Sequence, residues 1–460
     1  MTSYRLIPGS HRHEFPDDDQ GPYAPNTPLR LTLALAPDSK PRHRVALTKL
    51  AESAGLRFEA AQRQSIMFSG TVAAVQRTFQ VQLRRRGRHR CRSGPYSVPA
   101  TFGSNVVAVL GLDTRPQVRY HHHIHKFADS HAGFNGYMAP TVAGSYGFPP
   151  QLGRRHSVGI VEFGGAYDAK AMRWYFQHVN IQRTPNVTTT GQQHPRQTNA
   201  SVEVMLDAEI IATLVPNALT KLYFYPNTTA GFYNALAAAV QTRHDAVSIS
   251  WGAIENQWTP ASMTAINNLA QSAGQQGTTI CAASGDSGSS DGQPGLNVDF
   301  PGSAPYILGC GGTKLLLSGS AYESEIVWNS ASGATGGGLS EFFAIPDYQA
   351  AVASGNNMRM VPDVAANADP NTGFLVRLNG QSMAVGGTSA AAPLWAALVC
   401  RLNQALGRKL GFVHPALYSL LSGSLRDITS GNNGAWEATA GFDLCTGLGT
   451  PPNNLASLLQ

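Results

Sequence analysis

At 460 residues, 42% hydrophobic and only 13% charged, with 47 glycines, the chain exceeds one ordinary domain, and its length favours two or three. The charged share is about half the roughly 25% usual in soluble domains, which argues against coiled coils and charge-driven disorder and suits a turn-rich α/β protein. No stretch approaches the roughly 18 uncharged apolar residues of a membrane span. The net charge of +6 hides a split, since residues 1–135 carry 19 Lys and Arg against 9 Asp and Glu, and the remainder 15 against 19.

Residues 1–30 are rich in Pro, His and Asp and read as an irregular arm. LRLTLALA at 29–36 alternates as a half-buried strand does, 42–54 follows a helical pattern, and FEAAQRQSIMFSG at 58–70 reads as a strand. Residues 71–79 predict an amphipathic helix, with Thr71 as N-cap and Val72, Val75 and Phe79 on one face. A strand near Val81 and another at 106–112, VVAVLGL, complete a β-α-β-β-α-β order, so residues 1–120 are expected to form a compact α+β domain. LRRRGRHRCR at 83–92 is expected as a solvated basic edge rather than a nucleic-acid site, since no recognition motif or interleaved aromatics accompany it. Residues 121–138 read as an exposed linker. Its His121, His122, His123 and His125 are expected in solvent rather than on a metal.

From about residue 139 the rhythm changes. Strands SVGIVEF (157–163), KLYFY (221–225), DAVSISW (245–251) and TTICAAS (278–284) alternate with helices near 168–178, 230–240 and 260–274. Strands this apolar, separated by helices, imply a parallel sheet covered on both faces. The opposite charge of the two parts suits their pairing within one molecule.

The segment with the most chemical content is GGTSAAAP, 386–393, which runs into an apolar helix. Small residues before Ser389 allow close approach of a substrate, and a helix N-terminus favours a developing anion there. A simple capping serine is the plain alternative. A nucleophilic serine needs a base, yet His156, His178, His194, His244 and His414 sit in isolated settings. Glu203 and Asp207, four apart in EVMLD, fall on one face of a helix, where two acids repel unless they share a proton or a hydrogen-bonded chain. A solvated acidic face is the alternative, weakened by the apolar residues around them. Asp286 in SGDSG follows a strand directly, where open α/β sheets bind ligands, although a turn-forming Asp would also stand there.

Five scattered cysteines show neither a zinc spacing nor an even disulfide framework. MTSYRLIPGSHRHEF lacks the charged start and apolar run of a usual signal peptide.

Taken together, Glu203xxxAsp207, SGDSG and GGTSxxxP resemble the sedolisins, the serine-carboxyl peptidases, most closely the kumamolisin subgroup. The resemblance extends through SISWG at 248–252, VDFPGSAPYILGCGGT at 298–313, VPDVAANADPNTG at 361–373 and DITSGNN…GFDLCTGLG at 427–449, and the basic first domain is similar to the family's activation prosegment. It implies an α/β, subtilisin-like catalytic domain with a parallel sheet flanked by helices, at 139–460. An α+β, ferredoxin-like prodomain would precede it at 1–120, with a linker at 121–138 as the processing region.

What the resemblance implies for the site is a Ser389 nucleophile with Glu203 as its base. Asp207 would accept a hydrogen bond from Glu203, and a protonated Asp286 would donate to the oxyanion beside the Ser389 N–H. Glu162 and Trp251 match positions that extend the chain of hydrogen bonds. Asp299 is a candidate lining of the substrate cleft that favours a basic side chain. Carboxylates replace His because Glu stays ionised to about pH 4, where His would be charged, while an Asp can donate only when protonated. Activity is therefore expected in acid.

The same resemblance implies one Ca²⁺ held by Asp427, Ile428, Thr439, Gly441 and Asp443: two carboxylates, three carbonyls and water in an octahedral oxygen shell, a hard donor set. The expected protein is a monomeric, extracellular proenzyme acting on proteins and peptides, with its own prodomain as inhibitor and neither nucleic acid nor membrane as partner. Tripeptidyl exopeptidase activity within the same family is the alternative. A carboxylate-pair glycosidase would leave GGTSAAAP without a role.

Overall fold

The computed structural model describes residues 3–12, 20–125, 136–420 and 423–460. It divides into two compact units, one formed by residues 1–118 with 226–237 and 256–272, the other by 119–225, 238–255 and 273–460. This division is not the contiguous one expected from the sequence. Arg119 to His125 group with the second unit, and two later segments group with the first.

In the first unit, strand β1 (Pro28–Leu35), helix α1 (Pro41–Ser53), strands β2 (Arg57–Gln62) and β3 (Ser65–Thr71), helix α2 (Val72–Phe79) and strand β4 (Val106–Leu110) follow the expected β-α-β-β-α-β order. The sheet order β2-β3-β1-β4 is antiparallel throughout. Two expectations need correction. The single strand at 58–70 is a hairpin that turns at Arg63 and Gln64, and no strand starts at Val81 because Gln80 ends α2 in the left-handed region. Thr71 caps α2 by accepting from the Ala74 N–H at 3.2 Å, and Val72, Val75 and Phe79 are buried. Residues 226–237 join this unit through specific bonds: Asn234 pairs with Thr32, and Tyr233 Oη donates to the Gln64 carbonyl at 2.8 Å. The basic edge at 83–92 is only partly solvated, since Arg90 and Arg92 are buried and Arg90 Nη2 donates to the Gly111 carbonyl.

The second unit is built on one large sheet. Strands β7 (Ser157–Glu162), β8 (Val187–Gly191), β9 (Leu219–Phe224), β10 (Ala246–Ile249), β12 (Thr279–Ala283), β13 (Leu308–Ser318), β14 (Ala321–Val327) and β15 (Val364–Asn367) run in the order β8-β9-β7-β10-β12-β13-β14, with β15 also on β13. Only β14 is antiparallel. Helices α3 (Thr198–Leu214) and α4 (Thr388–Leu406) pack together and bury nearly every side chain they carry. Apolar residues surround α3, as expected of a helix enclosed by protein rather than facing water. Among the described residues, no helix is long and apolar enough to cross a membrane.

The segment expected as an exposed linker is instead an extended chain inside this unit. Strand β5 (Arg119–Tyr120) pairs antiparallel with β11 (Trp251–Ile254), and β6 (His123–His125) pairs antiparallel with β16 (Gln381–Gly386). His121 and His122 are buried. Local composition suggested solvent, whereas backbone pairing on both sides and buried carboxyls hold the histidines inside. Residues 126–135 of the expected linker lie outside the described residues.

Candidate active site

The strand ends and one helix start bring the three sequence motifs together. Ser389 is the second residue of α4, and Gly387 before it holds φ +118. A Cβ at Gly387 would stand 2.3 Å from the His121 carbonyl and 2.5 Å from Asp286 Oδ2, so only glycine allows this approach. Asp286 follows β12, and its Oδ1 accepts from the Thr388 N–H at 2.8 Å and from Thr388 Oγ1 at 2.7 Å. Its Oδ2 has no hydrogen-bond partner and lies 3.5 Å from His123 Nε2. Burial raises Asp286 to about 7, against the pull of His121 and the two Thr388 donors.

Glu203 and Asp207, one turn apart on α3, are both fully buried. Glu203 Oε2 lies 2.6 Å from His122 Nδ1, and its Oε1 has no partner. Asp207 Oδ1 accepts from Ser250 Oγ at 2.8 Å, and the same hydroxyl reaches the Ser389 carbonyl at 3.2 Å. In this state Glu203 bonds neither Asp207 nor Ser389, whose Oγ points to the Ser250 carbonyl at 3.4 Å. Trp251 Nε1 donates to Glu162 Oε2 at 2.9 Å. Burial and then the charge of Glu203 push both Glu162 and Asp207 well above the usual carboxyl range. Carboxyls that crowd one dry site hold protons in common.

Residues 119–125 lie across this cluster. The Ser389 N–H donates to the His121 carbonyl at 3.1 Å, and the His121 N–H donates to the Ser250 carbonyl at 3.1 Å. His121 Nε2 is 3.2 Å from Asp299 Oδ2. Tyr120 stacks on His122 with ring centroids 4.5 Å apart and meets the edge of Trp251. Thus the His121 carbonyl rests on the Ser389 N–H, and both it and Asp286 Oδ2 border Gly387, with Asp286 keeping its proton below about pH 7. Such a set can take up a carbonyl carbon and stabilise an oxyanion.

Ser250 and Thr388 were not singled out by sequence reasoning, and His121, His122 and His123 were named but not as part of this site. Ser250 and Thr388 stood inside quoted motifs, SISWG and GGTS, and the histidine run was visible but assigned to solvent.

Four of the C-terminal candidates are joined in two pairs. Asp427 Oδ2 accepts from the Gly441 N–H at 2.8 Å, and Asp443 Oδ2 from the Thr439 N–H at 3.3 Å. Asp443 Oδ1 accepts from the Cys445 and Thr446 N–H groups, and burial raises its pKa. Thr446 Oγ1 also donates to both Asp443 oxygens, so Asp443 is satisfied by the chain itself, while the two carboxylates are of the oxygen chemistry that suits a hard divalent cation. By contrast, His156, Asp245 and Cys400 lie within 4.8 Å of one another, but Asp245 is already taken by His156, Asn403 and the Ser157 N–H.

Residues 187–416 match the subtilase family, and residues 39–115 match the pro-kumamolisin activation domain. Kumamolisin of Bacillus sp. (strain MN-32) is 40% identical over 444 residues, covering 88% of this chain and 80% of its own length. Tripeptidyl-peptidase SED1 of Arthroderma otae is 30% identical over 276 residues, covering 48% of this chain and 41% of its own. Among solved structures, Pseudomonas sedolisin, a serine-carboxyl proteinase complexed with two molecules of pseudo-iodotyrostatin, aligns with a TM-score of 0.64 at 28% identity. It covers 70% of this chain and 97% of that structure.

Proposed function

Because the chain belongs to the sedolisin family of serine-carboxyl peptidases, in its kumamolisin-like branch with an activation prodomain, we propose that it is an acid-active endopeptidase made as a proenzyme and working outside the cell. Ser389 attacks the carbonyl carbon of a peptide bond while Glu203 takes the hydroxyl proton. The carbonyl oxygen becomes an oxyanion that accepts from the Ser389 N–H and from the protonated Asp286. Collapse expels the amine, which takes the proton back from Glu203, and leaves an acyl-enzyme on Ser389. Water then attacks this ester with Glu203 again as base, releasing the acid and free Ser389. Asp207, held by Ser250, and Glu162, held by Trp251, keep the site charged by no more than its chemistry needs.

The observation that supports this reading is the His121 carbonyl on the Ser389 N–H, 3.1 Å away, beside the same Gly387 that Asp286 Oδ2 borders. The segment would then mimic a substrate, and the bond first cut would be His121–His122. The polypeptide continues from both ends of the seated segment, which favours internal cleavage over removal of N-terminal tripeptides. Asp299 beside His121 favours a basic side chain at the residue whose carbonyl is attacked. One Ca²⁺ would be held by Asp427, Asp443 and the carbonyls of Ile428, Thr439 and Gly441, where it neutralises the two carboxylates and ties the C-terminal loop.

The test is Ser389→Ala. The purified variant should stay full length at about pH 4 and leave casein intact, while the parent chain yields a new N-terminus at His122 and internal casein fragments. Retained proteolysis in the variant overturns the nucleophile assignment, and release of tripeptides alone overturns the endopeptidase reading.

A further inference from the structure

A second acidic residue beside the seated segment, Asp291, has no part in the chemistry above. Arg119 Nη2 donates to Asp291 Oδ1 at 2.7 Å and to its carbonyl at 2.9 Å. The Asp291 side chain is 1% exposed, although that of Arg119 is 45% exposed, so the guanidinium tip reaches a buried carboxyl. Among the described residues no N–H or hydroxyl donates to Asp291 Oδ2 or Asp299 Oδ1, the two carboxyls face each other, and Asp299 Oδ2 lies 3.2 Å from His121 Nε2. Burial, with Asp299 beside it, pushes Asp291 up to about 8.

The backbone around the pair is shaped to admit it. Asp291 itself holds φ +44, a conformation that few non-glycine residues adopt. At Gly285, φ +104, a Cβ would press on Asp291 Oδ1 at 3.0 Å. At Gly252, which pairs with Arg119 across β5 and β11, a Cβ would overlap Asp299 Oδ1 at 1.8 Å. Alternate residues of an extended chain face one side. Arg119 and His121 therefore address Asp291 and Asp299 in step, while Tyr120 between them meets Trp251.

We propose that Asp291 is a subsite of the cleft that selects a cationic side chain, arginine above lysine, two residues before the one whose carbonyl is attacked, in substrates at large and not only in this chain's own segment. The inference rests on the peptidase reading above. One guanidinium nitrogen, Nη2, spans the carboxyl and the main-chain carbonyl of Asp291, and a guanidinium is more weakly hydrated than a lysine ammonium, so it is the easier cation to bring to a buried carboxyl. A neutral side chain at that position leaves two buried carboxyls facing each other, and a glutamate adds a third.

The experiment uses the full-length chain activated by acid. Four peptides that differ only at this position, bearing arginine, lysine, norleucine or glutamate, are hydrolysed at about pH 5, and kcat/KM is compared. At this pH Asp291 keeps its proton and the charge is the guanidinium's, and a hydrogen bond to a charged group supports about a tenfold preference or more for arginine over norleucine, with lysine between and glutamate last. In Asp291→Ala, which removes the acceptor, the arginine-to-norleucine ratio should fall to within about twofold. That ratio is internal to each preparation, so it does not depend on the variant's yield or overall rate. Equal rates for arginine and norleucine in the parent chain, or an unchanged ratio in Asp291→Ala, overturn the proposal and leave the Arg119–Asp291 pair as a latch for the chain's own segment. Failure of the parent chain to cleave any of the four overturns the peptidase reading itself.

Discussion

His122 Nδ1 lies 2.6 Å from Glu203 Oε2, while Ser389 Oγ turns to the Ser250 carbonyl instead of to Glu203. The candidate base is engaged by the very segment it would cut. On the proposed reading the His121 carbonyl rests on the Ser389 N–H while the base is occupied by an imidazole, which would account for latency.

Removing that imidazole should shorten latency. His122→Ala frees Glu203 to take the Ser389 proton, and the full-length chain should cleave itself about tenfold faster or more near pH 6, the scale of a charge-assisted hydrogen bond. A gel time course with N-terminal sequencing reads it, and an unchanged half-life would show that His122 does not restrain the base.

Asp286 sets an upper pH limit. Burial raises its pKa to about 7. Below that value the carboxyl keeps its proton and would donate to the oxyanion, and above it an anion would face a developing anion. Self-cleavage should therefore slow as pH rises through about 7. Asp286→Asn should lower turnover by about 10²-fold or more, the scale of one lost oxyanion donor, and remove that limb of the profile. Wild-type rates in the variant at every pH would reduce Asp286 to a turn residue.

Acid function also demands acid stability. Asp363 and Arg359 form a fully buried pair at 2.6 Å, with Tyr418 Oη and the Gly309 N–H also on Asp363. Burial alone would raise Asp363, but the Arg359 charge outweighs it and holds the carboxyl at about 2. A depressed folded pKa gives stability that is present above the unfolded value of about 3.9 and fades only as pH falls toward 2. Asp363→Asn strands a buried guanidinium and should cost about 3–5 kcal/mol between pH 4 and 7. Thermal unfolding at both pH values is the check, and an unchanged Tm would deny the pair this role.

Calcium should matter to the second unit. At about 100 times its dissociation constant an ion contributes about 2.7 kcal/mol, roughly 4 °C in Tm for a unit of this size. Chelation, or Asp427→Ala, should therefore lower the Tm by that amount, and the variant should no longer respond to added calcium. Identical melting with calcium and with chelator would argue against the site.

Much was legible along the chain because it is local or periodic. The alternation in LRLTLALA and the capping Thr71 mark elements whose causes lie within a few residues, and the buried strands from Ser157 to Ala283 announce a covered parallel sheet. Ser389, Glu203, Asp207 and Asp286 stood out as residue types at telling spacings. Tertiary structure decided the rest. It folded 57–71 into a hairpin, where an unbroken β pattern hid the turn at Arg63 and Gln64, and it grouped residues 226–237 with the first unit through bonds such as Asn234 to Thr32. Above all, it drew His121 and His122 out of solvent. A run of histidines is polar by composition, and only carboxyls brought from residues 203, 286 and 299, with free strand edges at 251–252 and 384–386, make burial favourable there. Those partners lie some 80 to 265 residues away in sequence, beyond the reach of any local pattern.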